Sequence, residues 1–497
     1  MKNLVITCLI ILFIAFNFSQ SRCMDPVEYS VTQFGAQRDG VTLNTKSIQT
    51  AIDKCYEEGG GTVIIPSGTF LCGGLVMKSN VELQITRGSI LLGSTNLDDY
   101  ELQPLPEYRS LKDQQGGFRA LIYAEDAENI AITGSGTICG QGEKYPLGKD
   151  DFASRPRGIL FISCKNVTVE GLHLRNSAMW MQHYLNCEDV IIRDLRVWNH
   201  ANRNNDMMDI DGSRRVLISN CIGDTDDDGI TFKSTGPSPC EDILVTNCTV
   251  SSHCNAIKMG TESTGGFKNI TISNCTIKPS QVRDHKIYGK YTGIGGIALE
   301  LVDGGIMENI AINNIAIKGT TVPLFIRLGN RARPHRKDAP TPPVGKIRNI
   351  ILSNIVTTDC GNTTSSITGI KDQAVENISL NNIQLNYKGG IKEGEFEFEP
   401  PEKEKNYPRP HMFGTLPACG LYIRHVKNID INGFYITTDD TDVRAPFYAD
   451  DVDGLTINNS RASIPNYEGV FLSGRHVTNW HIQNPAIWKG NISDINE

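Results

Sequence analysis

The sequence predicts an all-β protein, a single-stranded right-handed parallel β-helix with a capping helix at its N-terminal end. Three observations support this prediction. A short phrase of alternating apolar residues recurs along the chain, Asn or Asp marks its ends, and helix signals are almost absent after the N-terminal block. Period-two alternation gives strands with one buried face, and repeated units of this kind stack as coils of a solenoid.

Residues 31–95 form the predicted cap. Val31–Phe34 is strand-like, and Thr45 begins an amphipathic helix that Gly59 and Gly60 end. The apolar face of this helix consists of Ile48, Ala51, Ile52 and Cys55. Because an open solenoid end exposes its core, a single early helix is well placed to cover it.

The recurring phrase is Asn or Asp, apolar, any residue, apolar, any residue, then usually Asn. Copies begin at Asn166, Asp189, Arg215, Asp242, Asn269, Asn309, Asn349 and Asn377, with weaker copies at Asn428 and Gly454. Asn at the sixth position suits a bend, because Asn tolerates left-handed backbone dihedrals. Stacked coils would align these side chains into a ladder. Its predicted members are Asn220, Asn247, Asn274, Asn314, Asn354 and Asn382.

Composition and charge narrow the class of protein. The 497 residues carry a net charge of −8 without a dominant basic stripe, which argues against nucleic acid as a partner. Residues 1–22 are predicted to be a signal peptide, and 23–497 a single parallel β-helix catalytic domain. No later segment resembles a membrane span. We therefore expect a periplasmic or secreted protein that makes no membrane contact after signal removal, while its oligomeric state stays open.

Three of the 14 cysteines occupy the same repeat position. Cys221, Cys248 and Cys275 are spaced by 27 residues. Free Cys often behaves as a small buried apolar side chain. We expect these three to form a buried stack rather than disulfides.

Three carboxylates are the predicted catalytic residues. Asp206 and Asp227 are separated by about one repeat, and Asp228 follows directly. In a solenoid these side chains would converge on one face, where like charges push the pKa of one carboxyl group upward. That separates an acid from a base, as the cleavage of a glycosidic bond requires.

The motifs around these residues resemble glycoside hydrolase family 28, the polygalacturonase-like enzymes with a pectin-lyase-like solenoid. Asn204-Asn205-Asp206 resembles the family's Asn-Thr-Asp segment, and Asp227-Asp228-Gly229 its Asp-Asp segment. The resemblance implies an inverting hydrolase in which Asp227 is the general acid. Asp206 and Asp228 would hold and deprotonate the attacking water.

The sequence departs from the family at two binding segments. Where the family has Gly-His-Gly, Asn255 takes the place of the His and His253 lies two residues earlier. The family's Arg-Ile-Lys segment, which grips a galacturonate carboxylate, is absent, and Glu300 lies in the corresponding coil. The substrate-binding candidates are Asn255, His253, Lys258, His183, Trp180, Arg327 and Glu300.

Several alternatives remain open for individual residues. Trp180 fits either a sugar platform or core filling, and the arginine cluster that contains Arg327 also fits a solvated loop. The insertion at 388–410, rich in Glu and Pro, fits an exposed loop or a lid over a groove. Residues 224–229 match the first half of a calcium loop, but Thr235 stands where its bidentate Glu would be. We predict no metal and no cofactor.

The predicted function is hydrolysis of a plant or algal cell-wall polysaccharide or its oligosaccharides. The resemblance favours a pectic substrate that contains galacturonate or rhamnogalacturonan. Two alternatives are a polysaccharide lyase on the same scaffold and a catalytically inactive carbohydrate-binding β-helix.

Overall fold

The computed structural model describes residues 27–103, 118–146, 153–282 and 292–483. Regular structure in these ranges is almost entirely β-strand. The strands are β1 (Glu28–Ser30), β2 (Asp39–Leu43), β3 (Gly61–Ile65), β4 (Gly68–Cys72), β5 (Leu75–Val76), β6 (Val81–Ile85), β7 (Ser89–Gly93), β8 (Ala120–Glu125), β9 (Glu128–Gly134), β10 (Thr137–Cys139), β11 (Arg157–Ile162), β12 (Lys165–Glu170), β13 (His173–Arg175), β14 (Gln182–Leu185), β15 (Glu188–Arg193), β16 (Arg196–Asn199), β17 (Met208–Asp211), β18 (Arg214–Ser219), β19 (Ile222–Thr225), β20 (Ile230–Ser234), β21 (Cys240–Thr246), β22 (Thr249–Ser252), β23 (Asn255–Ser263), β24 (Phe267–Lys278), β25 (Gly295–Leu301), β26 (Ile306–Lys318), β27 (Val322–Leu328), β28 (Lys346–Thr358), β29 (Ser365–Thr368), β30 (Val375–Tyr387), β31 (Ala418–Thr438), β32 (Ala445–Asn458), β33 (Arg461–Ser463) and β34 (Leu472–Gln483).

These strands stack in parallel as three sheets that run the length of the molecule. The first sheet includes β12, β15, β18 and β21, the second β13, β16, β19 and β22, and the third β14, β17, β20 and β23. From β24 onward, single long strands bend from the first sheet into the second, and β31 passes through all three. The predicted right-handed parallel β-helix is confirmed.

One apolar row shows how the repeat builds the core. Residues at the same phrase position pair directly from coil to coil and are buried. They are Val167, Val190, Val216, Ile243, Ile270, Ile310, Ile350 and Ile378. Burial of such side chains contributes roughly 1.5–3 kcal/mol each relative to exposure. The hydrophobic effect on this row therefore fixes the register of the first sheet.

The predicted asparagine ladder is present in part at the bend between the first and second sheets, because Asn274 donates to Thr246 Oγ1 and Asn354 to Asn313 Oδ1. Asn314 donates from Nδ2 to Asn274 Oδ1 over 3.2 Å, and Asn382 donates to Asn354 over 2.7 Å. All four residues have positive φ. A second ladder, which the repeat analysis missed, follows the first phrase position. Its links join Asn269, Asn309, Asn349, Asn377 and Asn428.

The N-terminal cap agrees with the prediction in its helix but not in its first segment. Helix α1 (Thr45–Glu57) buries the four predicted residues and packs on β1, β3, β5 and β6. Val31–Phe34 forms a 3-10 helix rather than a strand, and ends at Gly35 with φ of 88°. Two further 3-10 helices span Leu97–Asp99 and Gly142–Lys144.

The cysteine prediction is also confirmed. Cys221, Cys248 and Cys275 are buried at equivalent positions of successive coils, and all three are free thiols. The predicted signal peptide lies outside the described residues, and the predicted domain boundary at residue 23 stays a prediction. Within the described ranges, no helix has the length and apolar character needed to cross a membrane.

Candidate functional site

The candidate site lies on the outward face of the third sheet. Parallel register places His183 opposite Asp209, Asp209 opposite Thr231, and Thr231 opposite Lys258. One step further, Lys258 lies opposite Ala298, with Glu300 two residues along the same strand. Polar residues in this row therefore come from successive coils about 4.8 Å apart.

The three predicted catalytic aspartates lie in the turns that lead into this sheet. Asp206 precedes β17, and Asp227 and Asp228 lie between β19 and β20. The backbone N–H of Met207 donates to the carbonyl of Asp228 over 3.0 Å, which ties the two turns together. The stacking thus brings the three carboxylates into one cluster.

Asp227 and Asp228 form a close pair. The backbone N–H of Asp228 donates to Asp227 Oδ1 over 2.9 Å, and Asn204 Nδ2 donates to Asp227 Oδ2 over 3.4 Å. One oxygen from each carboxylate and the Cys254 sulfur lie within 4.8 Å of one another. Asp227 is partly exposed whereas Asp228 is buried, so the two groups meet different surroundings.

Asp228 is surrounded by donors from the next coil. Its Oδ1 accepts hydrogen bonds from the Asn255 backbone N–H at 3.1 Å and from Asn255 Nδ2 at 2.8 Å. Its Oδ2 accepts one from Lys258 Nζ at 2.8 Å. Asn255 is therefore a double hydrogen-bond donor to this carboxylate.

These surroundings move the pKa values of the pair in opposite directions. Burial and the Asp228 charge raise the pKa of Asp227, against the opposing effect of Lys258. Burial alone would raise the pKa of Asp228, but Lys258, Lys233 and the hydrogen bonds from Lys258 and Asn255 hold it below its usual value. At a given pH the proton therefore resides preferentially on Asp227.

A second carboxylate pair, Asp206 and Asp209, lies on the preceding coil. Burial, followed by the charges of Asp209 and Asp227, raises the pKa of Asp206 well above its usual range. Burial also raises the pKa of Asp209 to about 7, although Lys233 Nζ lies 3.3 Å from its Oδ1. Asp206 Oδ1 has no hydrogen-bond partner within the described ranges.

Lys258 connects the aspartates to the floor of the site. Its ammonium group lies 4.0 Å from Glu300 Oε2 and 3.3 Å from the Tyr407 hydroxyl. Burial raises the pKa of Glu300 to about 8, although Lys258 opposes that shift. Glu300 is fully buried, so it faces the cation from below and does not line the opening.

A cavity of about 290 Å³ opens beside Asp227. Its walls come partly from the coil turns and partly from residues 407–410, which are distant in sequence. The lining residues are Asn204, Asp227, Cys254, Asn255, Ile294, Tyr407, Pro408, Arg409 and Pro410. The inserted segment therefore supplies one wall of the candidate site.

Buried cations of the third sheet anchor this inserted segment. Arg327 donates to the Glu402 carbonyl at 2.7 Å, and Arg424 donates to the Pro400 carbonyl at 2.6 Å. The Glu402 carboxylate contacts Arg424 at 2.9 Å and His425 at 3.0 Å. Of the two interpretations open for the insertion, the exposed loop fits residues 392–399, whereas residues 407–410 cover part of the cavity as the lid interpretation expects.

Like Glu300, three further predicted substrate-binding residues have other surroundings than expected. Arg327 is buried beneath the insertion, His183 is fully buried with Nε2 3.1 Å from Asp211, and His253 is fully buried with Nδ1 2.9 Å from Asp226. Their burial and these partners argue against direct contact with a substrate. Their places in the fold are supporting ones.

Trp180 lies outside the hydrophobic core, which argues against core filling, and its role as a sugar platform stays a prediction. Its ring is partly exposed and lies 4.9 Å from the Lys233 ammonium group and 4.9 Å from the Arg157 guanidinium carbon. Cations over an aromatic face attract it electrostatically. Trp180 thus forms part of the site's border rather than core filling.

The half calcium loop at residues 224–229 does not converge on one point. Asp224 and Asp226 both contact His200, at 3.1 and 2.6 Å, whereas Asp228 faces Lys258. The side chains of Asp224 and Asp226 therefore lie on one side of the coil and that of Asp228 on another. Each of these carboxylates already has a histidine or lysine partner.

Sequence reasoning missed Tyr407 and Arg409 as parts of the site. Their distance in sequence from the aspartates left no local signal. Asp209 and Lys233 carried a weak signal, since both occupy outward positions on strands that follow the catalytic turns.

A family model described as glycosyl hydrolases family 28 matches residues 55–399, more than half of the chain. The chain belongs to this family.

Individual relatives agree with that membership. A probable polygalacturonase from Vitis vinifera is 27% identical over 256 residues, which cover 46% of this chain and 52% of the relative. An exopolygalacturonase structure from Thermotoga maritima is 25% identical with a TM-score of 0.60, covering 73% of this chain and 87% of that one. The chain spans about half the length of the curated relatives it matches.

A third neighbour supports the fold alone. The family 28 exopolygalacturonase structure from Yersinia enterocolitica is 21% identical, with a TM-score of 0.58, and covers 95% of this chain and 79% of that one. The β-helix therefore extends over nearly the whole described chain in a similar form.

Proposed function

We propose that this protein is an inverting glycoside hydrolase that cleaves a galacturonate-containing pectic polysaccharide of plant or algal walls. The observation that carries the proposal is the Asp227–Asp228 pair, whose pKa values are displaced in opposite directions at the edge of a cavity. Environments that separate two carboxylates in this way mark the acid and the base of glycoside hydrolysis. Periplasmic or secreted localisation follows from the predicted signal peptide.

In the proposed reaction Asp227 donates its proton to the glycosidic oxygen as the bond to the anomeric carbon breaks. A water molecule adds to that carbon from the opposite face and transfers a proton to ionised Asp228. Asp206, in the turn that precedes β17, holds the water by a hydrogen bond. The proton balance closes when Asp228 releases its proton and Asp227 regains one from solvent.

The spacing of the carboxylates bears on the stereochemical outcome. Inverting pairs are usually about 6.5–9.5 Å apart, and retaining pairs about 5–5.5 Å. Asp227 and Asp228 have oxygens within 4.8 Å, so these two alone leave little room for a water molecule. The proposal of inversion therefore rests on the family resemblance and on Asp206, whose turn is tied to that of Asp228 through the Met207 N–H.

Recognition of the substrate carboxylate needs a replacement for the absent Arg-Ile-Lys segment. Lys258 is engaged with Asp228, whereas Arg409 lines the cavity wall beside Tyr407, its guanidinium carbon 5.5 Å from that ring. A guanidinium group matches the planar geometry of a carboxylate. We assign Arg409 to the uronate carboxylate and Asn255 to sugar hydroxyls.

The two alternative functions have less support. A lyase needs a base at C5 of the uronate, often with calcium, and the half calcium loop here is closed by His200 and Lys258. An inactive binding protein has no use for an acid and base pair with separated pKa values. Family 28 membership favours hydrolysis over both.

The experiment is incubation of the purified protein with polygalacturonate, rhamnogalacturonan and algal polysaccharides. We expect new reducing ends without absorbance from an unsaturated sugar, and release of the inverted anomer in proton NMR. Unsaturated products would overturn hydrolysis in favour of lysis, and a retained anomer would overturn the assignment of roles.

Arg409→Met should raise KM for the uronide roughly tenfold, about what loss of one charge-assisted hydrogen bond costs, with little change in kcat.

A further inference from the structure

Exposed arginines differ in their surroundings between the first and second sheets. On the first sheet Arg193 lies 2.5 Å from Glu170, Arg214 2.5 Å from Glu188, and Arg348 2.6 Å from Glu308. Each cation there meets a carboxylate on a neighbouring coil. Salt bridges between coils thus neutralise these three arginines.

The second sheet carries a cluster of cations without such neutralisation. His173, Arg175, Arg196 and Lys278 are exposed, and across the described chain Arg175, Arg196 and Lys278 form no salt bridge with a carboxylate. Register places His173 directly opposite Arg196.

These cations border a concave surface that contains a tryptophan. A cavity of about 260 Å³ is lined by them and by Trp198, which lies directly opposite Arg175. One side of the Trp198 ring packs on His200 with a centroid separation of 4.6 Å, while the residue remains partly exposed to the cavity. We name His173, Arg175, Arg196, Trp198 and Lys278 the basic groove.

The titration of His173 agrees with this concentration of positive charge. Burial, followed by the charges of Arg196, Arg175 and Arg87, lowers its pKa. The chain as a whole carries a net charge of −8. A positive groove on an acidic protein creates a local attraction for an anionic partner.

We propose that the basic groove is a second binding site for an acidic polysaccharide, separate from the cleavage site. Guanidinium groups bind carboxylates of successive uronate residues, and the open side of Trp198 packs against a sugar ring. The choice of a polyuronate rests on the proposed function. Asp224 in the groove lies three residues before Asp227, so the groove adjoins the catalytic turn on the same coils. Bound polymer would therefore be held close to the cleavage site.

The test is affinity electrophoresis in gels that contain polygalacturonate, with Asp227→Asn in every variant so that the polymer stays intact. Arg175→Ser/Arg196→Ser should bind roughly fivefold more weakly, the sum expected for two exposed charge contacts. The matched control is Arg193→Ser/Arg348→Ser, which removes the same charge from the first sheet and should stay within about twofold of the parent. Equal retardation of both double variants would overturn the proposal.

Two further measurements identify the ligand and distinguish this proposal from the proposed hydrolase function. Highly methyl-esterified pectin, which lacks most free carboxylates, should retard the parent less, and binding to duplex DNA as tight as to polygalacturonate would overturn a saccharide site. With Asp227 restored, the groove variant should cleave trigalacturonate at the parent rate. Failure of the parent itself to cleave any uronide would overturn the proposed function, while the gel comparison would still decide the groove.

Discussion

The first and third sheets of this β-helix are built from the same coils but by different rules. The first sheet alternates buried Ile and Val with outward-facing, mostly polar residues, and its cations Arg193, Arg214 and Arg348 pair with carboxylates. The third sheet buries its polar residues, and β17, β20 and β23 are buried along their whole length. One sheet supplies stability, and the other holds unlike charges in surroundings that shift their pKa values.

The difference has a physical origin in what covers each sheet. The first sheet faces solvent, so its outer side chains stay hydrated. The third sheet is covered near the site by the inserted segment, which removes water from Lys258, Glu300 and Arg327. Buried charges are stable only when paired, and partial pairing is what displaces their pKa values.

The largest effect should come from the proposed acid. Asp227→Asn should lower turnover on polygalacturonate by at least about a thousandfold, because an amide cannot deliver the proton. Thermal unfolding should be unchanged within a few degrees. Asp194→Asn is the control and should retain parent activity, because Asp194 is exposed and its side chain only accepts a hydrogen bond from Asn220. Activity of Asp227→Asn within tenfold of the parent would contradict the assignment.

The next largest effect is a difference in stability between a buried and an exposed substitution on the first sheet. Ile350→Ala should destabilise the fold by about 2–5 kcal/mol, because the side chain is fully buried and leaves a cavity. The adjacent Ile351 is 48% exposed, and Ile351→Ala should cost less than about 0.5 kcal/mol. Denaturant unfolding measures both, and equal midpoints would show that the register is wrong.

Lys258→Met tests whether the third sheet acts through charge. Lys258 holds the pKa of Asp228 down, so its removal should raise that pKa. Since Asp228 must be ionised, the acidic limb of the kcat/KM profile should move to higher pH, and activity should fall about a hundredfold. Lys318→Met at an exposed ion pair is the control. An acidic limb that stays in place would exclude the proposed role.

The smallest effect concerns the asparagine ladder. Asn314→Ala should cost about 1 kcal/mol, since it loses the hydrogen bond to Asn274 and strains a position with φ of 56°. Asn314→Gly keeps the backbone freedom and loses only the hydrogen bond, so its cost should be smaller. Thermal unfolding of the two variants separates these contributions, and the reverse order would contradict the account.

Sequence reasoning recovered what depends on local repetition. The parallel β-helix, the helix cap, the ladder through Asn314, the buried cysteines and family 28 membership are confirmed. Each follows from a pattern within one coil or between neighbouring coils. The convergence of Asp206 with Asp227 and Asp228 was predicted for the same reason.

What sequence reasoning missed depends on contacts between distant segments. Arg327 looked available for a substrate carboxylate, but the insertion after β30 folds back over it. His253 looked like a displaced family His, but its ring turns toward Asp226 and away from the cavity. Tyr407 and Arg409 enter the site from that same insertion, and no spacing rule reaches so far along the chain.

The position of the cavity wall has a consequence for how specificity can change. The wall leaves the coils after β30 and rejoins them at β31, so the solenoid is complete without its tip. Exchange of this single segment between relatives could therefore change which sugar is accepted, while Asp227 and Asp228 keep their places in the coil turn. Replacement of this one segment would thus change the glycan preference without altering the β-helix that carries it.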